Sequence, residues 1–277
     1  MALIAFAANS VLCRLALDIY KMDAGSFTTL RLLSGAIVLW ILVRTQHQQN
    51  SHPRFNFSTS WFSASMLFIY AAAFSFAYIT LDTATGALIL FGSVQITMIA
   101  YSIYAGNRPS MAEWAGLSMA FIGFIYLIYP DLSSPSAMGF LLMSIAGIAW
   151  GFYSIQGKHS KKALFDTAQN FIKTMPFIAI LALITLPQSH LNLQGILLAL
   201  LSGGIASGMG YAIWYKALTG LSNHQAAVVQ LAVPVIAAIG GVIFVSEEMT
   251  LRLVISTIMV LGGILIVIST RYFIQQK

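Results

Sequence analysis

The spacing of charges constrains this chain more than any other feature. Stretch after stretch runs for about 20 residues with almost no ionised side chain, long enough as a helix to cross the hydrocarbon core of a bilayer. Ten such segments are read from end to end, at 2–18, 27–43, 61–81, 83–105, 112–129, 135–156, 168–187, 194–215, 224–246 and 252–270. Only 8% of residues are charged, 58% are hydrophobic and the mean hydropathy is +0.84, whereas soluble domains carry about a quarter charged residues. The expected fold is therefore an all-α membrane protein of ten transmembrane helices.

The connections leave no room for a separate soluble domain. The longest, "RTQHQQNSHPRFNFSTS" at 44–60, is polar and basic, and the others are short enough to make consecutive helices antiparallel neighbours. The first segment lacks the basic leading region of a cleaved signal peptide and is read as a true span. One cysteine, Cys13, rules out an internal disulfide. The net charge of +6 comes from basic residues scattered at helix ends rather than gathered in a stripe, so no nucleic-acid partner is expected. Those residues instead set orientation. With an inside N-terminus, Arg44, Arg54, Arg108, Lys158, Lys161, Lys162, Lys216, Arg271 and Lys277 are cytoplasmic, leaving Lys21 and Arg252 outside. By the positive-inside rule both termini face the cytoplasm, here of a bacterial inner (cell) membrane.

The chain also repeats itself. At an offset of 140 residues, Leu81 meets Leu221, Ala87 meets Ala227, Ser110 meets Thr250 and Gly123 meets Gly263, with spans and loops in register. At a slightly larger offset Ser10 and Arg14 meet Ser154 and Lys158, and Arg31 meets Lys173. The expected domains are two five-helix repeats, 1–133 and 134–277. Five is odd, so the halves are inverted relative to one another. That is the architecture of many secondary transporters, with the site between the repeats near the midplane.

Several motifs carry a family resemblance. They are "WYKALTGLS" (214–222), the proline of "LAVPVIAA", "SEEMT" (246–250) and the Gly-Gly of "VLGGILIV", with first-half counterparts "AYITLDTATGALILFGSVQ", "GNRPS" and "AFIGFIYLI". On these the chain resembles the drug/metabolite transporter superfamily, in particular ten-helix proteins of two EamA-type repeats, and within it the YddG-type aromatic-amino-acid exporters. The resemblance implies export or exchange of small organic metabolites, amino acids among them. The first half departs from the pattern, with Val94 where the family has proline and Asn107 where it has glutamate.

Polar side chains inside spans must find partners or water, so they are expected on the bundle interior. Asn9, Ser10, Ser75, Gln95 and Gln230, joined by Tyr78, Tyr101, Trp150, Tyr153, Tyr211 and Trp214, make up the expected substrate cavity, with Ser75 and Tyr78, Trp150 and Tyr153, and Tyr211 and Trp214 each spaced i to i+3 on one helix face. Arg14, Thr97, Gln156, Ser207 and His224 complete the polar inventory of the spans. Each has a plainer alternative as interhelical glue, and Tyr20, Trp61 and Tyr272 fit the interfacial aromatic belt. Pro234, Gly240 and Gly241 are read as a hinge, because proline removes a helix hydrogen bond and glycines permit close packing. Glu247 and Glu248 end the ninth span, either as a solvated helix end or as a gate pairing with Arg252.

No carboxylate lies near the centre of a span, and there is no phosphate loop of the GxxxxGK[ST] type. Neither an HExxH helix nor a buried aspartate pair points to an intramembrane enzyme. No cofactor and no metal are expected. The expected partners are a small-molecule substrate and the lipid bilayer, with the oligomeric state open. A carrier leads, with a channel or membrane scaffold as the alternative.

Overall fold

An apolar segment in lipid can bond its backbone only to itself, and these segments do so as helices. The computed structural model describes residues 1–46, 61–106, 109–129, 135–157, 160, 162–218 and 229–275. The helices are α1 (Ala2–Arg14), α2 (Ala24–Gln46), α3 (Phe62–Ala77), α4 (Thr83–Tyr104), α5 (Met111–Ile128), α6 (Ala137–Gly157), α7 (Ala163–Lys173), α8 (Met175–Thr185), α9 (Leu193–Leu200), α10 (Gly210–Leu218), α11 (Ala232–Gly240) and α12 (Leu251–Gln275). There is no strand among the described residues.

Among the described residues, seven apolar helical stretches are long enough to cross a membrane: Ala2–Ile19, Ala24–Thr45, Thr83–Tyr104, Ala137–Gly157, Ala163–Gln188, Leu193–Trp214 and Leu251–Thr270. Phe62–Ala77, Met111–Leu127 and Ala232–Val245 are apolar helices too short for that length. All lie within or close to segments read as spans from the sequence.

Two boundaries shift for a physical reason. The seventh segment begins at Ala163 rather than at 168, because the turns of α7 are amphipathic, with Asp166, Gln169 and Asn170 among apolar residues. The third stops at Ala77 rather than 81, where the chain turns into α4. Several spans also contain π-helical turns, which periodicity cannot reveal: Leu15–Ile19 after α1, Leu201–Met209 between α9 and α10, and Gly241–Val245 after α11. Such turns insert an extra residue into a helix and recur at functional sites.

The packing joins the two halves of the chain. Helix α5 lies along α12, α2 packs on α7 and α8, and α4 packs on α11. Helix α1 sits against α11 and the π-helical turn before α10, while α6 packs on α3 and α4. Small residues set the closest approach: Gly116 of α5 faces the Gly263 carbonyl of α12, and a Cβ on either glycine would run into the other's backbone.

Caps fix the ends. Ser110 and Glu113 form a reciprocal capping box on α5, with Ser110 N–H donating to Glu113 Oε2 at 2.7 Å. Asn192 caps α9 at the Gly195 N–H and also donates to the Tyr20 carbonyl. Asp23 accepts from the backbone N–H of Ser26 at 2.8 Å and of His190 at 2.9 Å. Thr80 and Ser136 hydroxyls meet at 2.6 Å. The Asn192–Tyr20, Asp23–His190 and Thr80–Ser136 ties hold one end of the bundle together across distant parts of the chain.

Candidate functional site

A chain of aromatic rings runs through the interior. From α10, Trp214 packs edge-on to Phe6 of α1, with ring centres 5.8 Å apart, and Phe6 meets Tyr211 at 5.9 Å. Tyr211 stacks on Trp150 of α6 at 5.2 Å, and Trp150 touches Tyr153 at 5.3 Å and Tyr70 of α3 at 4.8 Å. The line continues through Phe74 to Tyr78, the last step at 4.8 Å and nearly perpendicular. Offset and edge-on contacts of this kind suit the ring quadrupole. The i to i+3 pairs expected from the sequence thus converge: Trp150 and Tyr153 from α6, Tyr211 and Trp214 from α10. Tyr70, Phe74, Phe6 and Phe171, which the sequence reading passed over as ordinary apolar residues, complete the line.

A buried cation lies beside it. Arg31 of α2 is 2% exposed; its Nη2 donates to the Tyr70 hydroxyl at 2.8 Å, and its guanidinium sits 4.6 Å from the Phe74 ring centre and 5.3 Å from that of Tyr70. Lys173 of α7 is also buried, with Nζ 5.8 Å from the Trp61 ring. The repeat register had paired these two cations. Neither was expected in the site: the sequence inventory of polar groups in the spans took in Arg14 but not these two.

One end of the line is sealed by ionic and hydrogen-bonded contacts. Glu247 accepts from the Thr83 backbone N–H at 2.8 and 2.9 Å and from the Thr83 hydroxyl at 2.9 Å. It also accepts from Arg14 Nε at 3.3 Å. Arg14 reaches Asp18 at 3.0 Å, Asp82 at 3.5 Å and the Tyr78 carbonyl at 3.1 Å. Both Arg14 and Glu247 side chains are about nine-tenths covered, at 11% and 10% exposed, so this pair is screened far less than a surface ion pair. The carboxylate also occupies the N-terminus of α4, where free N–H groups and the helix dipole favour an anion.

Backbone geometry aims Glu247. Ser246 adopts the left-handed conformation, with φ 60°, directly after the π-helical turn, and the Glu247 N–H bonds back to the Gly241 carbonyl at 3.2 Å. Two of the hinge candidates have a steric need for glycine, and a Cβ at Gly241 would meet the Glu247 carboxylate. Gly240 faces Val11 of α1. The expected partner of this acidic pair, Arg252, instead donates to the Tyr129 carbonyl at 2.6 Å and lies over Tyr126. Glu248 is exposed.

At the opposite end, where α6 ends and α7 begins, is a cavity of about 210 Å³. Tyr153, Gln156, Asp166, Thr167, Gln169 and Asn170 are among its lining residues. Asn170 reaches the Tyr153 hydroxyl at 3.5 Å. Tyr153 therefore belongs both to the cavity wall and to the aromatic line.

Other expected lining residues have different placements. Asn9 accepts from Ser202 at 2.7 Å and from Ser207 at 3.5 Å, tying α1 to the π-helical turn before α10. Ser10 is buried beside the Tyr78 hydroxyl, which donates to the Thr83 carbonyl at 3.3 Å, so both belong with the seal. Ser75 is buried and donates to the Ala71 carbonyl, and Gln95 is buried within α4. Tyr101 is 45% exposed and stands apart from the ring line. Gln230 is half-buried, and His224 lies outside the described residues. Pro234 sits in the first turn of α11, just after a turn at Leu231 that itself follows the helical residues 229 and 230, so the break falls where two helical stretches meet.

Comparisons with known proteins agree with this architecture. Residues 137–269 match the EamA-like transporter family. An uncharacterized protein of Pseudomonas aeruginosa is 43% identical over 271 residues, 98% of this chain and 93% of that protein. A Salmonella typhimurium relative named "Probable amino-acid metabolite efflux pump" is 24% identical over 211 residues, 70% of this chain and 71% of its own length. An uncharacterized transporter of Bacillus subtilis is 18% identical over 248 residues, 86% and 85% of the two chains. A crystal structure shares the fold with a TM-score of 0.65 and 17% identity, over 96% of this chain and 97% of that one. The chain accordingly belongs to the EamA-like transporters of the drug/metabolite transporter superfamily, and is a multi-pass membrane transporter rather than an enzyme.

Proposed function

We propose that this protein is a secondary transporter that exports or exchanges a small amphipathic organic metabolite, an amino acid or related compound, by alternating access between its halves 1–133 and 134–277. The observation that carries this reading is the Glu247 contact. A carboxylate from the second half closes on Arg14 and Thr83 of the first at one end, while a cavity opens at the other. A bundle shut at one end and open at the other is one state of an alternating-access cycle. The pairing of α5 with α12, α2 with α7 and α8, and α4 with α11 supports the reading, since each joins equivalent spans of an inverted repeat. With both termini cytoplasmic, the seal lies outside and the cavity faces the cytoplasm of the cell membrane.

The steps follow from these contacts. Substrate enters past Gln156 and Asn170 and replaces ring contacts along Tyr153, Trp150 and Tyr211. It gives back burial of its own apolar body. Separation of Glu247 from Arg14 and Thr83 then opens the outer end as the cavity closes. The test is counterflow of labelled tryptophan, phenylalanine and threonine into proteoliposomes loaded with a metabolite mixture. Saturable counterflow is expected; flux that neither saturates nor exchanges would favour a channel, and no flux across a broad panel would count against a carrier.

A further inference from the structure

We propose that Arg31 is the anion-binding point of the transport site, and that it takes the carboxylate of a monoanionic substrate with an aromatic or apolar body. The inference rests on the transporter reading and deepens it. Arg31 lies two turns into α2, inside the bundle, with 2% of its surface exposed. A guanidinium offers five N–H donors in a fixed plane. Among the described residues its sole hydrogen-bond acceptor is the Tyr70 hydroxyl, at 2.8 Å. Its Nη1 is buried with no partner.

Among the described residues no carboxylate pairs with it. The ion pairs among the described residues all belong to Arg14 or Lys21. A structural arginine at membrane depth ordinarily pairs with an acid or with backbone carbonyls, because an uncompensated charge in low dielectric is costly. The rings of Tyr70 and Phe74 offset part of that cost, yet they leave the donors of Nη1 unused. A fork with one free arm is shaped for a carboxylate oxygen. One positive charge is balanced by one negative charge, so a monoanion fits better than a dianion.

Position favours substrate over a fixed ion. Tyr70, which holds Nη2, is in ring contact with Trp150, and Trp150 with Tyr153, which lines the open cavity. Three side chains therefore separate the cavity from the guanidinium. An aromatic body would exchange places among these rings while its carboxylate reached Nη1.

The test is titration of the purified protein in nanodiscs, followed by tryptophan fluorescence, with phenylacetate, 3-phenylpropionate, methyl phenylacetate and phenethylamine. The two carboxylates are expected to bind roughly ten- to a hundredfold more tightly than the ester and the amine, the range of a charge-assisted hydrogen bond. Arg31→Gln is expected to erase that preference. Arg31→Lys, which keeps the charge without the fork, lowers carboxylate affinity severalfold and leaves the ester unchanged, and it serves if the glutamine variant does not fold. Carboxylates that bind no better than the ester and the amine, or a preference that survives both substitutions, would overturn the proposal. Binding of carboxylates without counterflow would instead defeat the transport reading and leave this site standing. Counterflow of the ester and amine alone would do the reverse.

Discussion

Glu247 and Thr83 are 164 positions apart in the chain, and the carboxylate of one takes both the backbone N–H and the hydroxyl of the other at 2.8–2.9 Å. With Arg14 on the same carboxylate, three spans meet on one side chain. Replacing Glu247 with alanine leaves Arg14 with Asp18, Asp82 and the Tyr78 carbonyl alone and frees the head of α4, at a cost of roughly 1–3 kcal/mol for a largely covered charged hydrogen bond. Thermal unfolding in detergent should show a clearly lower midpoint for Glu247→Ala. Glu248→Ala, at an exposed position, should change it little; equal midpoints for the two variants would remove the seal.

The contact of Gly116 with Gly263 holds α5 to α12 with backbone against backbone. Gly116→Val should force the helices apart, and overpacking of this kind typically costs about 1–3 kcal/mol. Gly263→Val should do the same, and the double variant should lose less than the two added together, because both act on one contact. Additive losses in thermal midpoint would mean that the two sites are independent.

Trp150 touches three aromatic partners, Tyr70, Tyr153 and Tyr211. At about 0.5–1.5 kcal/mol for each pair beyond its burial, Trp150→Ala should lower counterflow by tenfold or more at equal expression. Trp214→Ala, at the far end of the ring line, should have a smaller effect in the same direction. Tyr101→Ala should change flux less than twofold, since Tyr101 is exposed away from the rings. A large loss at Tyr101 would return it to the lining and displace the ring line from the centre of the account.

Pro234 heads α11 just after the turn at Leu231. In Pro234→Ala the restored N–H can bond to the Gln230 carbonyl and carry the helix back through Leu231. The variant should be as stable as the parent and slower in transport. Unchanged flux would mean that the break is a fixed feature of packing and no hinge.

These residues also show what a sequence can display. Spans were legible because hydrocarbon demands about 20 apolar residues of helix, and the ends of α4, α5, α6 and α12 fall within a few residues of the expected ones. Paired aromatics at i and i+3 were legible as helix faces, which is why Trp150, Tyr153, Tyr211 and Trp214 converge. Pairings between spans were not. Glu247 and Glu248 were read as a solvated helix end or as a gate pairing with Arg252, their neighbour in sequence, yet the partner of Glu247 is Arg14, 233 positions away, and only the return of α11 to α1 brings them together. The π-helical turns leave no periodic trace, and they tilt Glu247 and the serines that hold Asn9 into place. Arg31 was visible as a charge in an apolar run; that its Nη1 lacks a partner depends on every neighbouring helix.

Alternating access is tested most directly by the protein's own cysteine. Cys13 is wholly buried one residue before Arg14, on the inner side of the seal. A second reporter is Gly157→Cys, in the cavity at the opposite end, made in a Cys13→Ser background. Membrane-impermeant maleimide applied from each side of oriented vesicles should label position 157 rapidly from the cavity side and leave Cys13 untouched from the other. In Glu247→Gln the pattern should reverse, with Cys13 reactive from the seal side and position 157 slowed. Rapid labelling of Cys13 and of position 157, each read in its own Glu247→Gln protein, would indicate an open pore, and an unchanged pattern would contradict the claim that Glu247 holds the closed end.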